Sequence, residues 1–420
     1  MAAKIPAPPL SRKKILVLSA LHLCRNPRVV KEATTLGQAG YEVTVMTVSS
    51  SARFERMDRE LARDLPFRRI TLDLVGPAMA TRLRSFLSRG GTWLARAALE
   101  YLSLESPQAL GPAYGLLAMA RGHPADLTIV HTEIPIWAAR SLIRGGRRVA
   151  VDIEDWYSED LLYADRLSRP LRLLRNVEDF VLNHAVYASA TSDSMATALA
   201  DRYHCPKPIV IQNTFPLQPR TRLDRPIGEE SRAFIWFSQT VGPGRGLELF
   251  LSAWNRTAIP SRVVLLGDVR SGYREQLLAS VAADRRERII FLPLVPPDQL
   301  PDQLATFDLG LALESHWPLN RDITITNKIL QYMNAGLALI ATDTAGQTEV
   351  IRAAPASGLL VAAHETTQLA KALDALLADR DRLRNCQRAS RAAAESRFSW
   401  EFDAEVLLAA VARALATRGS

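Results

Sequence analysis

Short apolar runs alternate with helical stretches along this chain. Lys14 to Ser19 (KILVLS) is the first run, followed by a loop and a helical pattern from Pro27 to Ala39. Pro27 suits a first helical turn and Gly40 a stop. Tyr41 to Val48 (YEVTVMTV) alternates β-branched residues and predicts a strand, so the chain opens as a βαβ unit with a parallel pair. Leu127 to His131 (LTIVH), Val149 to Ile153 (VAVDI) and Ala188 to Thr191 continue the rhythm. A second set comes after Asn213-Thr214-Phe215-Pro216: Phe234 to Phe237 (FIWF), Val263 to Leu266 (VVLL), Ile289 to Leu292 (IIFL), Leu309 to Leu313 (LGLAL) and Leu337 to Ala341 (LALIA). Helical stretches such as Leu247 to Trp254 and Lys328 to Asn334 lie between these runs.

The pattern predicts an α/β protein with two successive doubly wound sheets. Expected boundaries are a loose tail over 1–11, an N-terminal domain over 12–213, a linker over 214–228 and a C-terminal domain over 229–398. Pro208, Pro216, Pro219 and Pro226 mark the linker, and the last segment, 399–420, reads as one amphipathic helix. Ligands of open α/β sheets bind beyond the carboxyl ends of the strands. Functional residues are therefore expected just after strands, around a cleft between the two sheets.

Composition narrows this only modestly. A length of 420 residues calls for two domains. Cys24, Cys205 and Cys386 lie far apart with no CxxC pair, which argues against a disulfide framework or structural zinc and suits a reducing cytosol. No run approaches the length of a membrane span, so the expected location is cytoplasmic, at most peripheral on the inner face of the membrane. The net charge of +8 is compatible with nucleic acid, anionic lipid or phosphorylated small molecules.

Several post-strand segments carry candidate chemistry. After FIWF, the run Ser238 to Glu248 holds Gly242, Gly244, Arg245 and Gly246. It reads equally as a phosphate cradle at a helix start or as a plain glycine-rich turn. Thr326 is placed to cap a helix whose first turn holds Asn327 and Lys328; a lysine there opposes the helix dipole, which an anionic ligand would relieve, and a solvated lysine on a surface turn is the competing reading. Glu314, after LGLAL, is placed to accept hydrogen bonds from sugar hydroxyls. In the first half, His131, Glu133, Asp152, Glu154 and Asp155 read either as acceptor-side groups that bind hydroxyls or act as a base, or as a loop of solvated acids.

Together these pieces resemble the family 4 (group 1) retaining glycosyltransferases of the GT-B fold. The resemblance rests on Asn26 to Ala33 leading into Gly40 to Val45, on ATSDSMATALADRY followed by Pro208 to Asn213, on NKILQYMNAGLALIAT, and on Trp400 opening the last helix. It implies that the C-terminal domain binds a nucleotide sugar and that the last helix crosses back to the N-terminal domain. Arg245 and Lys328 would meet the diphosphate, Glu314 would be catalytic, and Gly267 and Asp268 would form a donor-side turn. Leu294 would lie near the base. No metal or other cofactor is implied. Two positions depart from the family: Gln331 stands where its second glutamate is usual, although Asp322 sits at the nominal spacing, and Thr240 stands near a usual basic residue. The loop that often carries a histidine here places Glu154.

The resemblance further implies retention of configuration, with the leaving phosphate taking the acceptor's proton, in cell-surface polysaccharide or glycolipid synthesis. The expected acceptor is a glycan or a lipid-linked sugar. Ala78 to Ala98 carries four arginines and no acid, with Met79, Leu83, Phe86 and Leu87 on one helical face before a Gly90-Gly91 break. It reads either as an element lying on an anionic membrane or as an ordinary packed helix. A catalytically silent nucleotide-sugar-binding subunit and a GT-B nucleotide-sugar epimerase remain alternatives. Nucleic-acid binding ranks last, because the basic residues are not interleaved with aromatics.

Overall fold

A computed structural model describes residues 12–162, 166, 168–226, 232–362 and 365–416; the tail expected over 1–11 lies outside them. The chain forms two compact units, one of Met1–Thr191, Ala196–Ile211 and Ala404–Ser420, the other of Ser192–Met195 and Gln212–Asp403.

The first unit holds β1 (Lys14–Leu18), β2 (Glu42–Ser49), β3 (Arg68–Asp73), β4 (Leu127–His131), β5 (Val149–Ile153), β6 (Tyr187–Ala190) and β7 (Ile209–Val210). They form one parallel sheet in the order β3-β2-β1-β4-β5-β6-β7. The second holds β8 (Ala233–Val241), β9 (Arg262–Val269), β10 (Ile289–Leu292), β11 (Leu309–Ala312), β12 (Ala338–Thr342) and β13 (Gly358–Val361) in the parallel order β10-β9-β8-β11-β12-β13. In both sheets the winding reverses beside the first strand, between β1 and β4 and between β8 and β11. Such a switch point opens a crevice at the carboxyl ends of the strands.

The apolar runs are continuous because both faces of each sheet are covered. In β8, Phe234 and Trp236 enter one core with Phe250, Trp254 and Leu373. Ala233 and Ile235 enter the other, with Ile329, Tyr332 and Met333 from the helix Asn327–Asn334. That helix lies close to β11, where a Cβ on Gly310 would stand 2.2 Å from the Tyr332 ring. Gly310→Ala is expected to cost about 1–3 kcal/mol through overpacking and to push away the helix that carries Lys328. Chemical denaturation with nucleotide binding measured on the same variant checks both effects.

The structure departs from two expectations. Gly90 and Gly91 do not break the helix, which runs unbroken over Met79–Leu102. Two glycines cost about 1 kcal/mol each, and the helix formers on both sides outweigh that. Thr326 occupies the N-cap position of Asn327–Asn334, yet its side chain makes no capping hydrogen bond. The final helix, Trp400–Ala416, is held by Trp400 N–H donating to the Phe215 carbonyl and by Asp403 accepting from Gln212 N–H at 3.2 Å.

Candidate functional site

In the second unit, the crevice between β8 and β11 gathers three ionic side chains. Glu314 follows β11 and is buried, its backbone bonded at 2.9 Å to the Thr342 hydroxyl at the end of β12. Lys328, in the first turn of its helix, donates Nζ to Glu314 Oε1 at 2.7 Å and stands 5.5 Å from the centre of the Trp236 ring. Arg245 Nη1 lies 3.5 Å from Glu314 Oε2, an ion pair without a hydrogen bond. Arg245 reaches this point because its loop turns through Gly244 and Gly246, both near φ +75° to +77°; a Cβ on Gly246 would also stand 3.1 Å from Leu313 Cβ. The dipole conflict at Lys328 is thus met by a protein carboxylate.

The same region holds buried side-chain atoms that make no hydrogen bond among the described residues: Glu314 Oε2, Thr326 Oγ1, Gln331 Oε1, Trp236 Nε1 and Thr344 Oγ1. Buried polar atoms nearly always find partners, so water or ligand atoms are expected beside these. This also separates Gln331 from Asp322. Asp322 Oδ1 is occupied by His316 Nδ1 at 2.6 Å and by Ala345 N–H at 3.2 Å, whereas the Gln331 carbonyl is open. Gly242 and Gly267 are buried, Asp268 and Asn327 exposed, and Leu294 is exposed on the surface after β10. Trp236, Thr342 and Thr344 carry no signal in the sequence; the first two sit inside apolar strands, where only the fold reveals their neighbours.

In the first unit the structure joins His131, Asp152 and Glu154 with residues of the helix Pro27–Gln38. Arg28 makes a bidentate bond to Asp152, at 2.6 and 2.7 Å, and pairs with Glu32 at 3.3 Å. His131 Nδ1 lies 3.0 Å from both Asp152 Oδ2 and Glu154 Oε1, and Nε2 lies 3.2 Å from Glu32. Asn26 donates to Glu154 at 2.9 Å and Ser189 to Asp152 at 2.5 Å. His131 and Asp152 are fully buried; Glu154 keeps 16% of its side chain exposed and is the outlet of the network. Glu133 pairs with Arg169, and Asp155 is partly exposed. Glu32, His131 and Asp152 lie close enough together to hold a metal ion, but the Arg28 guanidinium already supplies the countercharge there. Beside the network, Thr132 is held at φ 65°, a strained value for a β-branched residue, and its hydroxyl accepts from Ala20 N–H at 3.1 Å.

Burial opposes a charged His131, but Glu32, Asp152 and Glu154 outweigh it and hold the pKa of His131 well above its ordinary value. A group raised on folding stabilises fully below its unfolded pKa, about 6.5, and loses that contribution as pH rises through the folded value. The melting temperature of this unit should therefore fall as pH is raised above neutrality. In His131→Gln that alkaline slope should flatten, as calorimetry across a pH series would record.

Two parallel α/β sheets with switch-point crevices define the fold as that of the GT-B glycosyltransferases. Aligned structures include HepE from Anabaena in complex with UDP, with a TM-score of 0.64 at 16% identity over 95% of this chain and 99% of that one. Sucrose-phosphate synthase from Thermosynechococcus elongatus aligns with a TM-score of 0.68 at 15% identity over 96% and 99%. TarM from S. aureus, solved with UDP and α-GlcNAc-glycerol, aligns with a TM-score of 0.66 at 7% identity over 96% and 100%. Residues 232–379, within the second unit, match the family model of the Glycosyl transferases group 1. A segment of 158 residues is 36% identical to a D-inositol 3-phosphate glycosyltransferase from Nocardia farcinica (strain IFM 10152), covering 37% of this chain. The matched segment spans 33% of that relative's length.

Proposed function

We propose that this chain transfers a glycosyl group from a nucleotide sugar, held at the carboxyl ends of β8 and β11, to a glycan or lipid-linked acceptor. The observation that carries the reading is the Glu314–Lys328–Arg245 cluster set among unsatisfied polar atoms at the switch point. Lys328, Arg245 and the N-terminal amides of the helices beginning at Leu247 and Asn327 meet the diphosphate. Glu314 and Gln331 take sugar and ribose hydroxyls, Gln331 serving as both donor and acceptor. In the transfer, the bond from the anomeric carbon to the diphosphate oxygen breaks and a bond to the acceptor oxygen forms on the same face. The acceptor's proton passes to the leaving phosphate, and charge accumulating there is stabilised by the two cations without a metal. The HepE structures with UDP and with UDP-glucose support a uridine nucleotide as the first donor to try. The work belongs to cell-surface polysaccharide or glycolipid synthesis, a lipid-linked acceptor being met at an anionic membrane surface through residues 78–98. Among the described residues no helix is long and apolar enough to cross a membrane.

A thermal-shift panel of UDP, GDP, ADP, dTDP and their common sugars, with and without magnesium, tests the donor site. One nucleotide series should raise the melting temperature by mass action, and the shift should vanish in Arg245→Ala. Silence from the whole panel would defeat the reading. Binding without sugar transfer to any supplied acceptor would instead favour a silent subunit, a role that the glutamine at position 331 allows.

A further inference from the structure

A groove of 820 Å³ lies in the first unit between Leu74–Pro77 and the helix Met79–Leu102. Of the 24 residues in that helix, only Thr81, Ala95 and Leu99 are buried. At about 100° per residue these three fall on one side. Met79, Leu83, Phe86, Leu87, Trp93 and Tyr101 centre on the opposite side, each between 57% and 78% exposed. A Cβ on Gly90, in the middle of that outward stripe, would meet nothing within 4 Å. The helix thus has two apolar faces, and the fold covers one.

Charge is arranged around the uncovered face. Arg82 and Arg89, two turns apart, run along one edge of the stripe and line the groove together with Phe86 and Trp93. Arg84 lies on the other flank, and no acid occurs between Ala78 and Leu99. A second copy of the chain laid on this stripe would set like charges against each other. A soluble phosphate would use the arginines and leave the apolar surface in water. An anionic bilayer satisfies both parts, since its phosphates sit level with the arginines of an interfacial helix and its acyl chains accept the apolar stripe.

We infer that this groove seats the phosphate of an anionic phospholipid between Arg82 and Arg89, with the lipid chain against Phe86 and Trp93 and the helix lying in the bilayer interface. This deepens the proposed function by giving a lipid-linked acceptor its place of encounter, but lipid binding itself needs no donor. The test is flotation of the full chain with vesicles of equal parts phosphatidylglycerol and phosphatidylcholine, against phosphatidylcholine alone, with the nucleotide thermal shift measured on the same samples. The protein should float with the anionic vesicles only. Arg82→Gln with Arg89→Gln should weaken binding about thirtyfold, at the usual contribution of one basic residue near such a surface. Phe86→Ser with Trp93→Ser should weaken it as well, with the melting temperature unchanged in both pairs. No flotation, or flotation unchanged in the arginine pair, overturns the inference. So does a dimer in solution that the Phe86 and Trp93 changes dissociate. Loss of vesicle binding with the nucleotide shift intact leaves the donor site standing, and loss of the shift with flotation intact defeats only the donor reading.

Discussion

Lys328→Met is expected to lower the glycosyl transfer rate by about 10²–10³-fold, the usual effect of removing one preorganised group that meets developing charge on a leaving oxygen. It should also destabilise the second unit. Glu314 is 4% exposed and loses its closest countercharge, while Arg245 stands 3.5 Å away and is only partly screened by protein. Breaking a buried pair on one side costs about 3–5 kcal/mol, and the remaining arginine argues for the lower end. For a unit of this size that is a drop in melting temperature on the order of 10 °C. The two effects separate in Glu314→Gln with Lys328→Met, which removes both charges. Most of the lost stability should return while transfer remains defective. A double variant as unstable as the single one would mean that packing of the lysine stem, and not charge pairing, holds this region.

Arg28→Met should be the most damaging single change in the first unit. Its guanidinium holds Asp152 by two bonds and Glu32 by a third contact, all fully buried, with His131 as the other cation. Without it, His131 faces Glu32, Asp152 and Glu154 with no second cation among the residues of this network. A loss of about 3–5 kcal/mol results from stranding buried carboxylates. Asp152, whose pKa is held low against burial by Arg28 and His131, should then bind a proton at higher pH. The acid side of the stability profile would shift accordingly: the contribution of Asp152 would be lost earlier as pH falls. Calorimetry of the variant from neutral to acidic pH measures both quantities. A melting temperature within a degree or two of the parent would show that the network is dispensable for folding.

Most strands are legible in the sequence because parallel sheets covered on both faces need unbroken apolar runs, and these stand out between helical patterns. The edge strands β3, β7 and β13 are not. Arg68 to Asp73 carries three charges in six residues, and a strand covered on one side only need not be apolar. Glu314, Arg245 and Lys328 stand out by position, since each lies just past a strand or in the first turn of a helix, and the chemistry of this fold gathers at carboxyl ends. Arg28 and Glu32 are visible only as part of an opening motif. Yet two opposite charges one turn apart, on a helix face that also carries Val29, Ala33 and Leu36, signal a buried pair, since an exposed pair would sit on the polar face. His131 and Asp152 both lie at the ends of apolar strands, which makes them neighbours once the strands pair. No pattern in the sequence shows that Arg28 encloses them and leaves Glu154 as the outlet.

In the proposed donor site, the bond between Lys328 and Glu314 is what an arriving diphosphate would meet first. A lysine ammonium carries three N–H donors, so Lys328 can hold a diphosphate oxygen while it stays bonded to Glu314 Oε1. Glu314 Oε2, which makes no hydrogen bond among the described residues, would remain for the sugar hydroxyls. On that proposal a bare nucleotide diphosphate would give the carboxylate nothing new to hold, whereas the attached sugar would bring hydroxyls to it. The proposed donor site is therefore expected to bind the complete nucleotide sugar more tightly than its own product, which the thermal shifts of the two would show.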